Sequence, residues 1–286
     1  MSQYEHFILQ KPVNWSLLNH GISIPISSWS LLQIIAPNIL IHGNSKPIKI
    51  IVDNEMFDAV LVNQNFDRSK YPGHKDIIQI RYSDQSPISQ KLRLIFHESY
   101  NYFIVQRKML SNARKQVALP NDISEFIRLY STNNSDVFHI ECNTNYEYNQ
   151  VSNALSTITE ELYESANDDT FLLKDKTATI EEKERIVKYR KIDRSIIARL
   201  KEYYDYRDEI SGEKIGLEYG ESVVEAHHID YFTLSQNNDT TNIIIISPNY
   251  HRIIHKNNPI FNRKKFQFEF PNGEILKLKL YDHLLI

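Results

Sequence analysis

At 286 residues, 41% of them apolar and 24% charged, the chain is long and apolar enough for one large or two modest domains and excludes a disordered polypeptide. A formal net charge of −3 argues against a uniformly basic coat for nucleic acid, and one cysteine excludes both an intramolecular disulfide and a four-cysteine zinc cage. No run of about 18 apolar residues is present, and the first residues carry no basic cluster followed by an apolar stretch; the expectation is a cytoplasmic protein that neither enters nor crosses a membrane.

Residues 1–118 read as mixed α/β. A short helix is expected over 27–35, stopped by Pro37, then strands over 48–52, 59–65 and 77–82, the first two joined by a turn at Asp53-Asn54-Glu55. Ser86 before Pro87 has the chemistry of an N-cap followed by a first-turn proline and predicts a helix over 87–96. The aromatic and β-branched run over 100–107 predicts a strand. A helix over 122–130, a strand over 137–141 and a helix over 150–165 follow, and the polar tracts 165–170 and 174–179 read as a linker. A long charged helix is expected over 180–204, and near the end two strands, 265–270 and 274–281, flank the turn Pro271-Asn272-Gly273. The expected fold class is α+β, with a β-rich mixed domain over 1–178 and a second domain over 179–286.

Chemistry concentrates in the second domain. Glu225-Ala226-His227-His228-Ile229 reads as a strand, Asn242 lies 14 residues after His228, and His251 and His255 are four apart on an expected helix. Adjacent strand residues point to opposite faces, so His227 and His228 are free to do different jobs. The four-residue spacing puts His251 and His255 on one helical face. A lone strand histidine is more often packed than ligating, but four in one spaced pattern satisfy what a divalent ion and a proton acceptor require together.

These residues, with Tyr206-Arg207-Asp208-Glu209-Ile210-Ser211-Gly212 and the run from 242 to 251, resemble the HNH family of ββα-metal endonucleases. The resemblance implies a C-terminal HNH domain that hydrolyses DNA phosphodiesters, leaving 5′-phosphate and 3′-hydroxyl ends. It makes His227, His251 and His255 metal ligands, His228 the general base, neutral near pH 7, and Asn242 the brace of the loop. Glu225 corresponds to an acidic residue near the metal centre. One divalent ion is implied, with Mg2+ serving in the cell and Mn2+, Ni2+ or Zn2+ binding more tightly to three imidazoles. Many family members carry two Cys-x-x-Cys knuckles around a structural zinc; the aligned positions here are Asp208-x-x-Ser211 and Ser247-x-x-Tyr250, so packing has to replace that zinc.

Lysines and arginines crowd 183–201, and Arg252, Lys256, Arg263 and Lys264 follow the motif, which marks them as phosphate contacts. The N-terminal patterns His20-Gly21-x-x-x-Pro25, Lys46-Pro47-Ile48 and Gln79-Ile80-Arg81-Tyr82-Ser83 resemble the leading domain found ahead of HNH modules in some bacterial restriction enzymes. That implies a DNA reader, with Arg81, Lys70, Arg68, Gln64 and Gln79 as candidates for base contacts. The expectation is a restriction-type enzyme acting on double-stranded DNA as a homodimer. The alternatives are a DNA-binding regulator or modified-base reader with an inactive HNH module, and a monomeric nicking or homing enzyme.

Overall fold

The computed structural model describes residues 4–67, 69–70, 72–73, 76–110, 115–120, 122–156, 158–165 and 180–285. It is α+β, and it divides at Tyr148/Asn149 into two compact units.

The first unit is built on a seven-stranded sheet ordered β1-β6-β7-β3-β4-β5-β2. Its strands are β1 (Tyr4–Pro12), β2 (Gly21–Ile24), β3 (Ser45–Val52), β4 (Glu55–Asn63), β5 (Ile78–Arg81), β6 (Phe126–Thr132) and β7 (Val137–Asn143). All described pairings are antiparallel except β3 with β7. The helices are α1 (Trp15–Asn19), α2 (Trp29–Ile35), α3 (Pro87–Ile95) and α4 (His97–Lys108). The sheet and these helices share an apolar core that includes Leu17, Leu32, Ile50, Leu61, Leu92 and Phe103. The turn between β3 and β4 holds Asp53 and Asn54 at φ of 48° and 64°, the left-handed pair that lets a two-residue turn follow strand twist. Gly21 is needed for a different reason: at φ 143° a Cβ there would sit 2.0 Å from the Ile80 carbonyl oxygen on the paired strand.

Two expected elements change type. The segment 100–107 is helical within α4, because Ser99 and Phe103, one turn apart, both enter the core; burial at helical spacing overrides β-branched and aromatic preference. The segment expected as a helix over 122–130 becomes β6, buried on both faces between β1 and β7, and a strand buried on both faces lacks the alternation that announces one. The opening strand β1 has no counterpart in the expectations.

The expected helix over 150–165 is two helices, α5 (Asn145–Leu155) and α6 (Glu160–Ser165). The expected linker lies largely outside the described residues, which resume at Ile180. The unit division falls inside α5, about thirty residues before the expected boundary at 178, so α6 belongs with the second unit. Its carboxylates explain why: Glu160 accepts from the backbone N–H groups of Phe232 and Thr233 at 2.7 and 2.8 Å, and Tyr163 is buried against Phe232 with ring centroids 4.6 Å apart.

The second unit continues with the 24-residue α7 (Ile180–Tyr203). Ile186, Tyr189, Ile196 and Leu200 form its buried stripe, at spacings that stay on one helical face. A hairpin follows, β8 (Glu225–His228) antiparallel to β9 (Ile243–Ile246), with the short α8 (Phe232–Ser235) in the connecting loop. Then come α9 (Pro248–Asn257) and a three-stranded antiparallel sheet of β10 (Ile260–Asn262), β11 (Gln267–Glu269) and β12 (Ile275–Lys277). Strands β11 and β12 enclose the Pro271-Asn272-Gly273 turn, with Gly273 at φ 89°. All four isoleucines of β9 are buried; Ile244 and Ile246 join Ile210, Ile254, Phe268 and Leu278 in one core.

Candidate metal centre

Strand alternation in β8 separates the histidine pair. His227 faces α9, where its ring centroid lies 5.3 Å from that of His251 and 4.9 Å from that of His255. One helical turn brings those two rings together, with Nε2 atoms 3.1 Å apart. The strand and helix histidines therefore converge, and nitrogens this close share either a proton or a cation.

The group at their centre is one that the motif does not contain. Glu164, on α6, brings Oε2 to 2.7 Å from His251 Nε2 and 2.8 Å from His255 Nε2, with its side chain 5% exposed. One ligand atom from each of Glu164, His227, His251 and His255 lies within 4.8 Å of all the others, a set able to hold one metal ion. The residues fit such an ion on a second ground. Among the described residues, neither buried ring nitrogen of His227 has a hydrogen-bond partner, its Nδ1 standing 3.9 Å from Glu164. An imidazole left so costs about 1–3 kcal/mol, and an ion at the shared position removes that cost. Burial holds the His227 pKa below its ordinary value, so the ring keeps the lone pair a ligand needs.

Burial alone would raise the Glu164 pKa, but the four surrounding histidines hold it well below the carboxylate range. Glu225 lies at the rim, half exposed, and its Oε2 accepts from His251 Nδ1 at 2.6 Å. Its place is behind the ring: a carboxylate at Nδ1 fixes the proton there and turns the Nε2 lone pair inward.

His228 points the other way, towards α6 and α7. Its Nδ1 lies 3.1 Å from Glu164 Oε1 and 3.3 Å from Glu160 Oε1, and its Nε2 lies 3.8 Å from Asp193 Oδ1. The Tyr163 hydroxyl donates to the other Asp193 oxygen at 2.6 Å. The surroundings of His228 run against the expectation of a ring neutral near pH 7. Burial would lower its pKa, but the carboxylates of Asp193, Glu160 and Glu164 outweigh burial and hold it well above, so the ring keeps its proton.

Asn242 ties the 229–242 loop to itself: its side-chain oxygen accepts from Asp230 N at 2.8 Å, and its amide donates to the Asp230 and Asn237 carbonyls at 2.8 and 3.0 Å. Arg263, expected on phosphate, is bonded to the Asp230 carboxylate at 2.5 Å and the Thr241 carbonyl at 3.0 Å, reinforcing the same loop.

A cleft of about 1080 Å³ opens on the cluster, lined by Glu164, His228, His251 and His255 and by the cations Arg190, Arg194, Lys201, Arg252 and Lys256. Arg252 and Lys256, expected from the sequence as phosphate contacts, line this cleft. Lys264 is exposed in the turn after β10 and is not among the described residues lining the cleft. In the first unit Arg81 is exposed at the end of β5, Gln64 and Gln79 bond to one another, Lys70 pairs with Asp67, and Arg68 lies outside the described residues.

Two signals separate what was legible from what was not. Asp193 occupies a buried position on the apolar stripe of α7, where an unpaired charge does not belong, and that register marks it as functional or paired. Glu160 and Glu164 are an acidic pair four apart on a short helix, a pattern most surface helices share, so nothing local distinguishes them. No protein-family model, curated protein or solved structure matches the chain. Among the described residues no helix is long and apolar enough to cross a membrane.

Proposed function

We propose that the protein is a metal-dependent DNA endonuclease of the HNH type, with its hydrolytic site in the second unit. The observation that carries this reading is the convergence of His227, His251 and His255 on one point, from a strand and a helix joined through a hairpin, while His228 occupies the opposite face of the same strand. A divalent ion at that point supplies Lewis-acid stabilisation of the charge that develops on a phosphodiester as it breaks. The protein's part is to keep three rings in register, through Glu225 behind His251 and the Ile244 and Ile246 packing beneath. Arg252 and Lys256 on the cleft wall attract the polyanion. His228 lines the cleft outside the three-histidine set and is the candidate proton acceptor, a role that would require it to give up the proton held by Asp193, Glu160 and Glu164. Cutting both strands calls for two copies, and a homodimer with an N-terminal reader meets that need.

One observation favours a second reading, a DNA-binding protein whose module does not cut: His228 is 2% exposed and charged beneath three carboxylates. Incubating supercoiled plasmid DNA with the protein and Mg2+ or Mn2+ separates the two. The nuclease reading predicts discrete linear fragments from the wild type and none from His228→Ala, with DNA binding retained by both. Intact plasmid under every condition, with binding retained, supports the second reading; nicked circles alone point to single-strand cutting by a monomer.

A further inference from the structure

Glu164 differs from the three histidines around it in origin and in reach. They belong to β8 and α9, whereas it stands at the end of the six-residue α6. Its two oxygens serve two purposes. Oε2 lies against His251 and His255, and Oε1 accepts from the His228 backbone N–H at 2.9 Å and lies 3.1 Å from the ring Nδ1. One carboxylate therefore covers both the metal position and the ring beside it. Four protein ligands make a closed, structural site, while a site that works on a substrate keeps three and leaves one position open. The three imidazoles are such a set, and Glu164 closes it. The cleft outside is lined by Arg194, Lys201, Arg252 and Lys256, alongside Glu161, Asp193 and Glu225, and its cations suit a phosphate oxygen.

We propose that Glu164 is an exchangeable fourth ligand: its carboxylate and a phosphate oxygen of the substrate compete for one place among His227, His251 and His255. The exchange needs the side chain to swing, giving up the bond from the His228 backbone N–H, without moving the helix. Glu160 stays bonded to Phe232 N and Thr233 N, and Tyr163 stays buried and bonded to Asp193, so α6 keeps its seat while its last turn releases the carboxylate. The inference rests on the metal reading of the cluster and needs no DNA to be cut.

Co2+ titration of the full chain, followed by visible absorption with and without inorganic phosphate, tests it. Glu164→Ala and the isosteric Glu164→Gln are compared with the wild type and with Glu161→Gln, a cleft-lining neighbour outside the cluster; far-ultraviolet circular dichroism checks that each is folded. Both Glu164 variants should bind Co2+ more weakly by about tenfold or more. Their bound spectra should respond to phosphate at concentrations at least about tenfold lower than the wild type requires, and Glu161→Gln should behave as the wild type. Unchanged Co2+ affinity in Glu164→Gln overturns Glu164 as a ligand. Weakened affinity with an unchanged phosphate response overturns the exchange. A wild type that binds no Co2+ overturns the metal reading itself, whereas a wild type that binds Co2+ but cuts no DNA leaves this inference standing and removes only the nuclease one.

Discussion

His251 is held from both sides, and the two sides ask different things of it. Glu225 accepts a hydrogen bond from Nδ1 at 2.6 Å; Glu164 stands 2.7 Å from Nε2. With Nδ1–H committed to Glu225, Nε2 offers a lone pair to the proposed ion. Glu225→Gln keeps the shape but loses the charge that sets the tautomer, and its metal affinity should fall by about tenfold, as such partners do elsewhere. Titration calorimetry with Mn2+ reads this directly; unchanged affinity makes Glu225 a surface residue that happens to lie near. The sequence made Glu225 legible as an acid beside the histidines, but not its partner, because two residues along a strand do not say which ring across the hairpin lies opposite.

At the scale of elements, the hairpin and α9 are held without a thiolate zinc site, and the replacement is visible in one side chain. Asp208 is fully buried, and its carboxylate accepts from Ile210 N, Ser211 N and Ser247 N at 2.7, 2.8 and 2.7 Å. It thereby joins the two segments where the family resemblance would place cysteine knuckles. Asp208→Ala strands three N–H groups, those of Ile210 and Ser247 buried and that of Ser211 half-buried, and should cost about 2–3 kcal/mol, read by denaturant unfolding; a loss below about 0.5 kcal/mol would mean that packing alone holds the joint.

The C-terminal turn is pinned through His283, whose Nε2 lies 2.8 Å from the Ile243 carbonyl and whose Nδ1 lies 2.5 Å from the Tyr204 hydroxyl. The neutral ring satisfies both, donating to one and accepting from the other. Burial pushes its pKa down to about 4. A depressed folded-state value means the stabilisation is fully present above the unfolded value of about 6.5 and drains away as pH falls towards 4, by about 1.4 kcal/mol per pH unit over that window. His283→Gln should flatten the dependence of unfolding midpoint on pH between about 6.5 and 4; an unaltered slope removes His283 from the account.

Elements also show where the sequence stops being readable. The hairpin, α9 and the Asn-Gly turn carry their signals within a few residues. Segments α4 and β6 defy a local reading because part of their burial comes from elements far away in the chain: Phe103 shares a core with Leu17, and Phe126 pairs with Pro12 on β1. Glu164 is the same problem at the site: 63 residues separate it from His227, and the i, i+4 carboxylate pair it forms with Glu160 looks like solvated helix until β8 is folded beneath it.

At the scale of the whole molecule, a net charge of −3 accompanies a cleft where Arg194, Lys201, Arg252 and Lys256 stand beside the carboxylates Glu161, Glu164, Asp193 and Glu225. DNA affinity should therefore fall steeply with salt despite the acidic total, and replacing Arg252 and Lys256 together by Gln should lower the slope of log affinity against log salt by about 2, one for each phosphate no longer neutralised. A slope that does not change places the polyanion elsewhere.

The measurement that bears most directly on the central claim is X-ray absorption at the Co2+ edge of the metal-loaded protein, with ion content per chain measured alongside. One ion per chain, coordinated by three imidazoles with the remainder oxygen, is the predicted result, reduced to two imidazoles in His251→Ala. A shell of oxygen alone, or an imidazole count that His251→Ala leaves unchanged, would contradict the convergence of His227, His251 and His255 on a single cation.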